Sequence, residues 1–227
     1  MASITVLPAR VACLMNTLLL LTLCLPVSVE LPDGSLVLLR DSNPLVKKIT
    51  QSPWTHIGIV FSKNGEQWVY EATPGGVRRV SYANFVVDAY SRRLCYNKSP
   101  SMYTMKPGTP FTTAEASAMQ RFADGQVGRR YSVKGIFRDR PVEGTNCAQF
   151  VAATLQQSGR IRFPNTFSQT PASVLDRSST LYGKSSYVAA PAGIETQTWI
   201  DATDRTTSDT RRWLKWSTWE AFRFWRD

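Results

Sequence analysis

The chain has 227 residues, of which 43% are hydrophobic and 19% are charged. This length and composition suit a globular domain with a buried core and exclude a largely disordered chain. The formal net charge is +10 at pH 7, which favours acidic neighbours such as anionic lipids or cell-wall polymers. The basic residues are scattered and form no nucleic-acid-binding motif, so we expect no nucleic-acid partner.

The first 29 residues have the pattern of an export signal. Arg10 precedes an apolar run over residues 11–29, and no charge follows before Glu30. A positive residue followed by a short apolar run is typical of a secretory signal peptide, and the run is close to the length of a membrane span. We therefore expect residues 1–29 to be a signal peptide or an N-terminal membrane anchor. The protein is then exported, either to the periplasm or cell envelope or as a secreted protein.

Residues 30–227 are predicted to form a single domain that begins with an antiparallel sheet. Short runs rich in β-branched and aromatic residues, separated by turn residues, are typical of strands. Asn64-Gly65 predicts a tight hairpin turn between two of them. Residues 41–53 are expected to be loop or a short helix. The predicted strands are residues 35–40, 56–61, 67–72, 77–80 and 93–96.

The second half of the chain changes to helical spacing. Thr112 and Glu115 form a predicted capping box that opens a helix, which Gly125 is placed to stop. A second helix is expected to begin near Asn146-Cys147 and to run to Gly159. The following residues are expected to be mainly loop as far as about 208. Residues 209–227 are rich in Trp and predict a helix that either packs on the domain or contacts a membrane surface. This segment belongs to an expected C-terminal extension of about 176–227.

Cys147 is the candidate nucleophile. Of the four cysteines, two lie in the first 29 residues, which leaves Cys95 and Cys147. A thiol at the start of a helix sits where unpaired N–H groups and the helix dipole favour a thiolate. The same N–H groups can stabilise a tetrahedral oxyanion. Two structural alternatives remain open from the sequence: a buried thiol that acts as a small hydrophobe, and a Cys95–Cys147 disulfide.

His56 is the only histidine in the chain. It lies at the start of a predicted strand, where its ring could face a cleft, and it is the only imidazole available as a base for a thiol. One histidine and no CxxC pair do not make a metal-ligand set, so we expect no metal and no cofactor.

Glu71 is the candidate third residue of the site. It lies on the strand predicted to pair with the His56 strand, so its carboxylate could accept the imidazole N–H and hold the useful tautomer. Asp88 and Glu143 are less well placed competitors. The alternative is an ordinary carboxylate at the end of a strand.

Histidine and acid on strands therefore precede a cysteine on a helix, which inverts the order found in papain. In this order the chain resembles the circularly permuted branch of the NlpC-type papain-like superfamily, and most closely its YiiX/YebB-like group of amidase-fold proteins. The resemblance implies an α+β fold in which a small antiparallel sheet packs against helices, with the nucleophile at a helix N-terminus. It also implies a Cys/His/Glu site with Tyr131 lining the cleft, and we add Trp54 and Asn146 as candidate cleft residues. The segments that carry the resemblance are residues 33–37, 54–60, 69–72, 128–131 and 145–151.

These observations predict an exported cysteine hydrolase that cleaves a peptide or isopeptide bond of a cell-wall peptide or protein through an acyl-enzyme on Cys147. One alternative is a lipid acyl hydrolase or acyltransferase, because residues 146–151 are also similar to the cysteine box of the lecithin:retinol acyltransferase-like branch. That branch usually supplies a second histidine, where this chain has Glu71. The other alternative is a non-catalytic module that binds the envelope. The first 29 residues or the Trp-rich C-terminus could contact a membrane surface in each case.

Overall fold

The computed structural model describes residues 30–91, 101–138 and 140–191. The predicted signal or anchor segment, the predicted strand 93–96 with Cys95, and the Trp-rich segment 209–227 lie outside these ranges. Strands and helices alternate in an α+β arrangement, as expected. Within the described ranges, every helix is too short or too polar to cross a bilayer.

A six-stranded sheet forms the centre of the domain, and all of its neighbouring strands run antiparallel. Its spatial order is β4-β3-β2-β1-β5-β6, so the chain first builds one side of the sheet and then returns to the other edge. The strands are β1 (Leu36–Arg40), β2 (Trp54–Lys63), β3 (Glu66–Thr73), β4 (Gly76–Ser81), β5 (Ser101–Met105) and β6 (Ser186–Val188).

The β2–β3 hairpin confirms the turn predicted from Asn64-Gly65. Lys63 pairs with Glu66, and the two residues between them have φ values of 55° and 77°. Positive φ at both central positions is the type I′ geometry, whose twist matches that of the flanking strands. The hairpin fixes which residues of β2 and β3 lie at the same end of the sheet, and this sets up the site.

Helices cover both faces of the sheet. Six helical segments are described: α1 (Pro44–Thr50), α2 (Tyr82–Ser91), α3 (Thr113–Gln126), α4 (Lys134–Arg138), α5 (Cys147–Gln156) and α6 (Pro171–Arg177). Helices α3, α5 and α6 pack on one face, against alternate residues such as Leu38 and Ile57. Helix α2 packs on the other face, against residues such as Val37 and Val69. Because both faces are covered, β1 is buried along nearly its whole length.

Some elements agree with the predictions from the sequence and others do not. The capping box at the start of α3 is confirmed, with Thr112 and Glu115 each bonding to the backbone of the other. Helix α5 ends at Gln156, before the expected Gly159. Residues 160–191 are mainly loop, as expected, although α6 and β6 also form there. Strand β5 and helix α2 were not predicted. Helix α2 contains Val86 and Val87, which favour strands, and it is stabilised instead by burying one face on the sheet.

Candidate active site

His56 and Glu71 meet at one end of the sheet. The β2–β3 ladder runs from Lys63–Glu66 to Ile59–Tyr70, and Glu71 follows its last pair directly. The His56 Nε2 and Glu71 Oε2 atoms are 2.5 Å apart. The Glu71 side chain is only 1% exposed, whereas that of His56 is 12% exposed. The Glu71 carboxylate is therefore almost fully buried, whereas the His56 ring remains slightly exposed to solvent.

Cys147 is the first residue of α5 and carries a free thiol that is 5% exposed. Asn146 caps the helix, because its side-chain oxygen accepts a hydrogen bond of 2.9 Å from the backbone N–H of Gln149. Capping leaves the first N–H groups of the helix directed towards the region of the thiol. The predicted position of Cys147 at a helix N-terminus is confirmed. Its suggested partner in a disulfide, Cys95, lies outside the described residues.

A short backbone ribbon ties Cys147 to the sheet. The Thr145 N–H donates to the Arg130 carbonyl at 2.9 Å, and the Ser132 N–H donates to the Thr145 carbonyl at 3.0 Å. One residue before Arg130, the Arg129 carbonyl accepts from the Val77 N–H on β4 at 2.9 Å. The segment before the cysteine is thus connected by main-chain hydrogen bonds to β4, the edge strand that pairs with the Glu71 strand.

Gly144 makes this ribbon sterically feasible. Its φ is +98°, in the left-handed region, and a Cβ placed there would lie 2.8 Å from the Ser132 Cβ and 2.9 Å from the Arg130 oxygen. Only glycine avoids both the backbone strain and the overlap. The Gly144-Thr145-Asn146 sequence before the cysteine is therefore explained by close packing of two loop segments.

The electrostatics couple His56 to both neighbours. Burial acts to lower the pKa of His56, but hydrogen bonds to Cys147 and Glu71, together with their negative charges, outweigh burial and raise the pKa to about 9. Because Nε2 faces Glu71, Nδ1 is the nitrogen left for Cys147. A ring with this pKa is protonated at neutral pH.

The other two carboxylates proposed as competitors for the third position do not contact His56 in this way. Glu143 lies on the surface and pairs with Arg130 at 3.4 Å. Asp88, on α2, lies 3.6 Å from Nη2 of Arg78. Arg78 in turn binds Glu71, so that guanidinium links Asp88 to the site. Glu71 is the carboxylate that the fold places against the ring.

The three candidate cleft residues differ in their relation to the thiol. Tyr131 forms an isolated bridge with Thr145, and burial first and then the negative charge of Cys147 raise its pKa. Asn146 caps the Cys147 helix. Trp54 packs edge-on against Tyr103 of β5, with ring centres 5.3 Å apart, and its place in the cleft stays a prediction.

Sequence comparison places the chain in a family. Residues 30–198 match the model of the permuted papain-like amidase enzymes, the YaeF/YiiX or C92 family. The chain belongs to this family. Its members are enzymes of the cysteine peptidase or amidase type, which confirms the predicted permuted papain-like fold and the hydrolase class. The match extends beyond residue 151, where the last segment that carries the resemblance ends, and reaches into the expected C-terminal extension.

A solved structure is similar in fold to this chain: the crystal structure of the metalloprotein yiiX from Escherichia coli O157:H7. The two share 13% sequence identity with a TM-score of 0.47, over 71% of this chain and 98% of that one. No curated protein is significantly similar to the chain in sequence. Among the residues that the structure describes here, no three His, Cys, Asp or Glu side chains come together as potential metal ligands.

Proposed function

We propose that this family member is an exported cysteine hydrolase that cleaves an amide bond, with Cys147 as nucleophile, His56 as base and Glu71 as the residue that orients it. One observation carries the proposal: the single histidine of the chain lies between a buried carboxylate and a free thiol at a helix N-terminus. Nucleophile, base and orienting acid in this order are the requirements of covalent catalysis by a thiol.

Acylation begins with the thiolate and the protonated ring. The Cys147 sulfur attacks the carbonyl carbon of the substrate and forms a tetrahedral oxyanion. As this intermediate collapses, the C–N bond breaks and His56 gives its proton to the departing amine. The products are a thioester on Cys147 and a free amine. A ring that holds a proton at neutral pH suits this step, because an amine is a poor leaving group until it is protonated.

Deacylation reverses the role of the ring. The neutral His56 accepts a proton from a water molecule as that water attacks the thioester carbonyl. Collapse of the second tetrahedral intermediate breaks the C–S bond and releases a carboxylic acid. The thiolate and the protonated ring are restored together. Glu71 keeps Nε2 protonated throughout, so that Nδ1 remains the nitrogen that exchanges protons at the reacting atoms.

The start of α5 offers donors for the oxyanion. The first N–H groups of the helix have no partner within it, and the helix dipole favours negative charge there. The Asn146 side-chain nitrogen is buried and makes no hydrogen bond among the described residues, although the oxygen of the same amide caps the helix. We assign this amide N–H as a further donor to the oxyanion, which gives Asn146 a role beyond capping.

The proposed substrate is a peptide or isopeptide of the cell wall or of an envelope protein. Export is supported by the Arg10 and apolar run before Glu30, and a net charge of +10 suits contact with acidic wall polymers or lipids. A fatty-acyl substrate would use the same thioester chemistry, so the choice between the two depends on which acyl group the cleft accepts.

Intact-mass measurement of the full chain tests this function. The protein is exposed to two probes, a peptide p-nitroanilide and a p-nitrophenyl fatty-acyl ester, and the mass reports a covalent acyl adduct. We expect an adduct on Cys147 that Cys147→Ala abolishes and that His56→Ala reduces by at least about 10³-fold in rate. The rate of adduct formation with each probe, divided by that probe's rate with free cysteine, distinguishes peptide from lipid substrates. A folded parent protein that forms no adduct with either probe would contradict the proposal, and a non-catalytic binding role would then be favoured.

A further inference from the structure

Arg78 binds the side of Glu71 that faces away from His56. Its Nε donates to Glu71 Oε1 at 2.8 Å, and its Nη2 lies 2.6 Å from the same oxygen. The other carboxylate oxygen, Oε2, faces His56. Each oxygen of the carboxylate thus has its own partner, and the Arg78 contact leaves Oε2 for the ring.

The strand register produces this contact. Glu71 on β3 and Arg78 on β4 are directly opposite each other in the antiparallel ladder. A carboxylate that is only 1% exposed needs partners for its charge, since a buried and unpaired charge is costly. The guanidinium is suited to this position because its planar, fixed N–H groups can hold one orientation of a carboxylate.

Helix α2 packs against the same group of residues. Asp88 lies 3.6 Å from Nη2 of Arg78, and Phe85, one turn earlier, stacks on the His56 ring at 6.5 Å with an angle of 22°. Residues three apart on a helix share a face. Helix α2 therefore contacts both the ring and the arginine, and a continuous series runs from Asp88 through Arg78, Glu71 and His56 to Cys147.

We propose that Arg78 is a positioning residue of this site, which holds the Glu71 carboxylate so that one oxygen remains directed at His56. The inference rests on the proposed function, because it assigns a role within the same group of residues. In this role Arg78 acts through its contact with Glu71. Its side chain is 37% exposed, so its replacement leaves no large cavity in the core.

Several titratable or charged groups determine the protonation of the ring. Glu71 contacts it from β3 and Cys147 from α5, while Arg78 on β4 and Asp88 on α2 act through Glu71. Tyr131 forms its bridge with Thr145, two residues before Cys147. Removing the guanidinium leaves Glu71 buried with one partner fewer, and a carboxylate that turns away or takes up a proton no longer favours a protonated ring.

The test compares Arg78→Met and Arg78→Lys with Arg79→Met in the full chain. Arg79 is the matched control, because it is the next residue of β4 and lies over the Trp68 ring at 4.8 Å. The single histidine allows its titration to be followed by NMR without overlap. The second readout is the rate of alkylation by iodoacetamide at the peptide that contains Cys147, and melting temperature reports folding.

We expect Arg78→Met to lower the pKa of His56 by roughly one unit and to slow alkylation of Cys147 at neutral pH by about tenfold. Arg78→Lys keeps the charge without the two-nitrogen contact. It should therefore recover part of the His56 pKa and part of the alkylation rate. Arg79→Met should remain within about twofold of the parent. A folded Arg78→Met protein with the parental pKa and alkylation rate would overturn the inference. If that variant does not fold, parental values in Arg78→Lys would overturn it.

Neither readout requires turnover. A parent protein that forms no acyl adduct would therefore defeat the proposed function while leaving the Arg78 measurements interpretable. A parental result for Arg78→Met would defeat the positioning role and leave the proposed function standing.

Discussion

Two polar clusters are built on neighbouring pairs of the β3–β4 ladder, and they differ in burial. Glu71 pairs with Arg78, and the preceding pair is Tyr70 with Arg79. Successive residues of a strand point to opposite faces, so Glu71 and Arg78 lead towards His56 and α2. Tyr70 and Arg79 lead to Asp124 on α3, with the Tyr70 hydroxyl donating to that carboxylate at 2.7 Å.

The carboxylates of the two clusters differ in exposure to solvent and in their neighbours. Asp124 is 36% exposed. Burial acts to raise its pKa, but the hydrogen bond from Tyr70 and the charges of Lys63 and Arg79 outweigh this and lower it. That pattern is typical of a carboxylate at the protein surface. Glu71 is almost fully buried, and its neighbour His56 in turn lies against a free thiol. A buried carboxylate next to an imidazole is costly to maintain unless it is fully paired, and such groups concentrate at functional sites.

Of the substitutions that test the difference between the two clusters, Glu71→Gln should have the largest effect. The amide keeps the size of the side chain but removes the charge that favours a protonated ring, and it no longer fixes the tautomer. We expect the rate of acyl-adduct formation to fall by about 100-fold with little change in melting temperature. Asp124→Asn makes the same chemical change in the surface cluster and serves as the control. Equal rates for Glu71→Gln and the parent would contradict the role of the buried cluster.

The pH dependence of amide cleavage should follow the protonation of His56. Below a pH of about 9 the ring holds the proton that the leaving amine requires, and above it that proton is lost. We expect the rate with the peptide p-nitroanilide to fall about tenfold per pH unit above this value. The p-nitrophenyl ester should fall less steeply, because its leaving group departs without protonation. A high-pH limb near the ordinary histidine value for the anilide would contradict the coupling of His56 to Cys147 and Glu71.

Gly144→Ala should disturb the placement of Cys147 through the backbone ribbon. Gly159→Ala is the matched control: Gly159 also has a positive φ, +74°, but nothing lies within 4 Å of a Cβ placed there. Both substitutions carry backbone strain of about 1–2 kcal/mol, and only Gly144→Ala adds the overlap with Ser132 and Arg130. We expect alkylation of Cys147 to slow about tenfold in Gly144→Ala and to be unchanged in Gly159→Ala. The same loss in both variants would show that the ribbon does not position the thiol.

Asp124→Asn should have the smallest effect. Its partners Lys63 and Arg79 are at 3.4 and 3.5 Å and are partly exposed, and surface ion pairs of this kind contribute about 0–1 kcal/mol. We expect a change in the free energy of unfolding of at most about 1 kcal/mol, measured by urea denaturation, and no change in alkylation of Cys147. A slower alkylation rate would show that the two clusters are coupled through the ladder.

The sequence predicts the hairpin that brings His56 and Glu71 to one end of the sheet, because Asn64-Gly65 is a strong local signal. It also predicts that a helix begins near Asn146-Cys147, as α5 does. The role of Arg78 as a partner of Glu71 was missed, although a two-residue turn at Pro74-Gly75 would have placed residues 71 and 78 opposite each other.

Other parts depend on tertiary contacts and could not be predicted in this way. Helix α2 has β-branched residues in its centre, and its stability comes from burying Phe85 and Tyr90 on the sheet. Strand β5 is short and has no clear alternation of polar and apolar residues, and it is fixed by pairing along the whole of β1. The raised pKa of His56 depends on three side chains, from β2, β3 and α5. Their positions along the sequence do not predict the distances between them in the fold.

The most direct measurement is an NMR titration of His56 in the parent protein and in Cys147→Ala. The chain contains no other histidine, so its ring signals report this residue alone. The account predicts a pKa of about 9 in the parent and a fall of roughly one unit or more in the variant, because the hydrogen bond and the negative charge of the thiolate are lost. A parental pKa near 6.5, or one that Cys147→Ala leaves unchanged, would contradict the thiolate–imidazolium pair on which the proposed function depends.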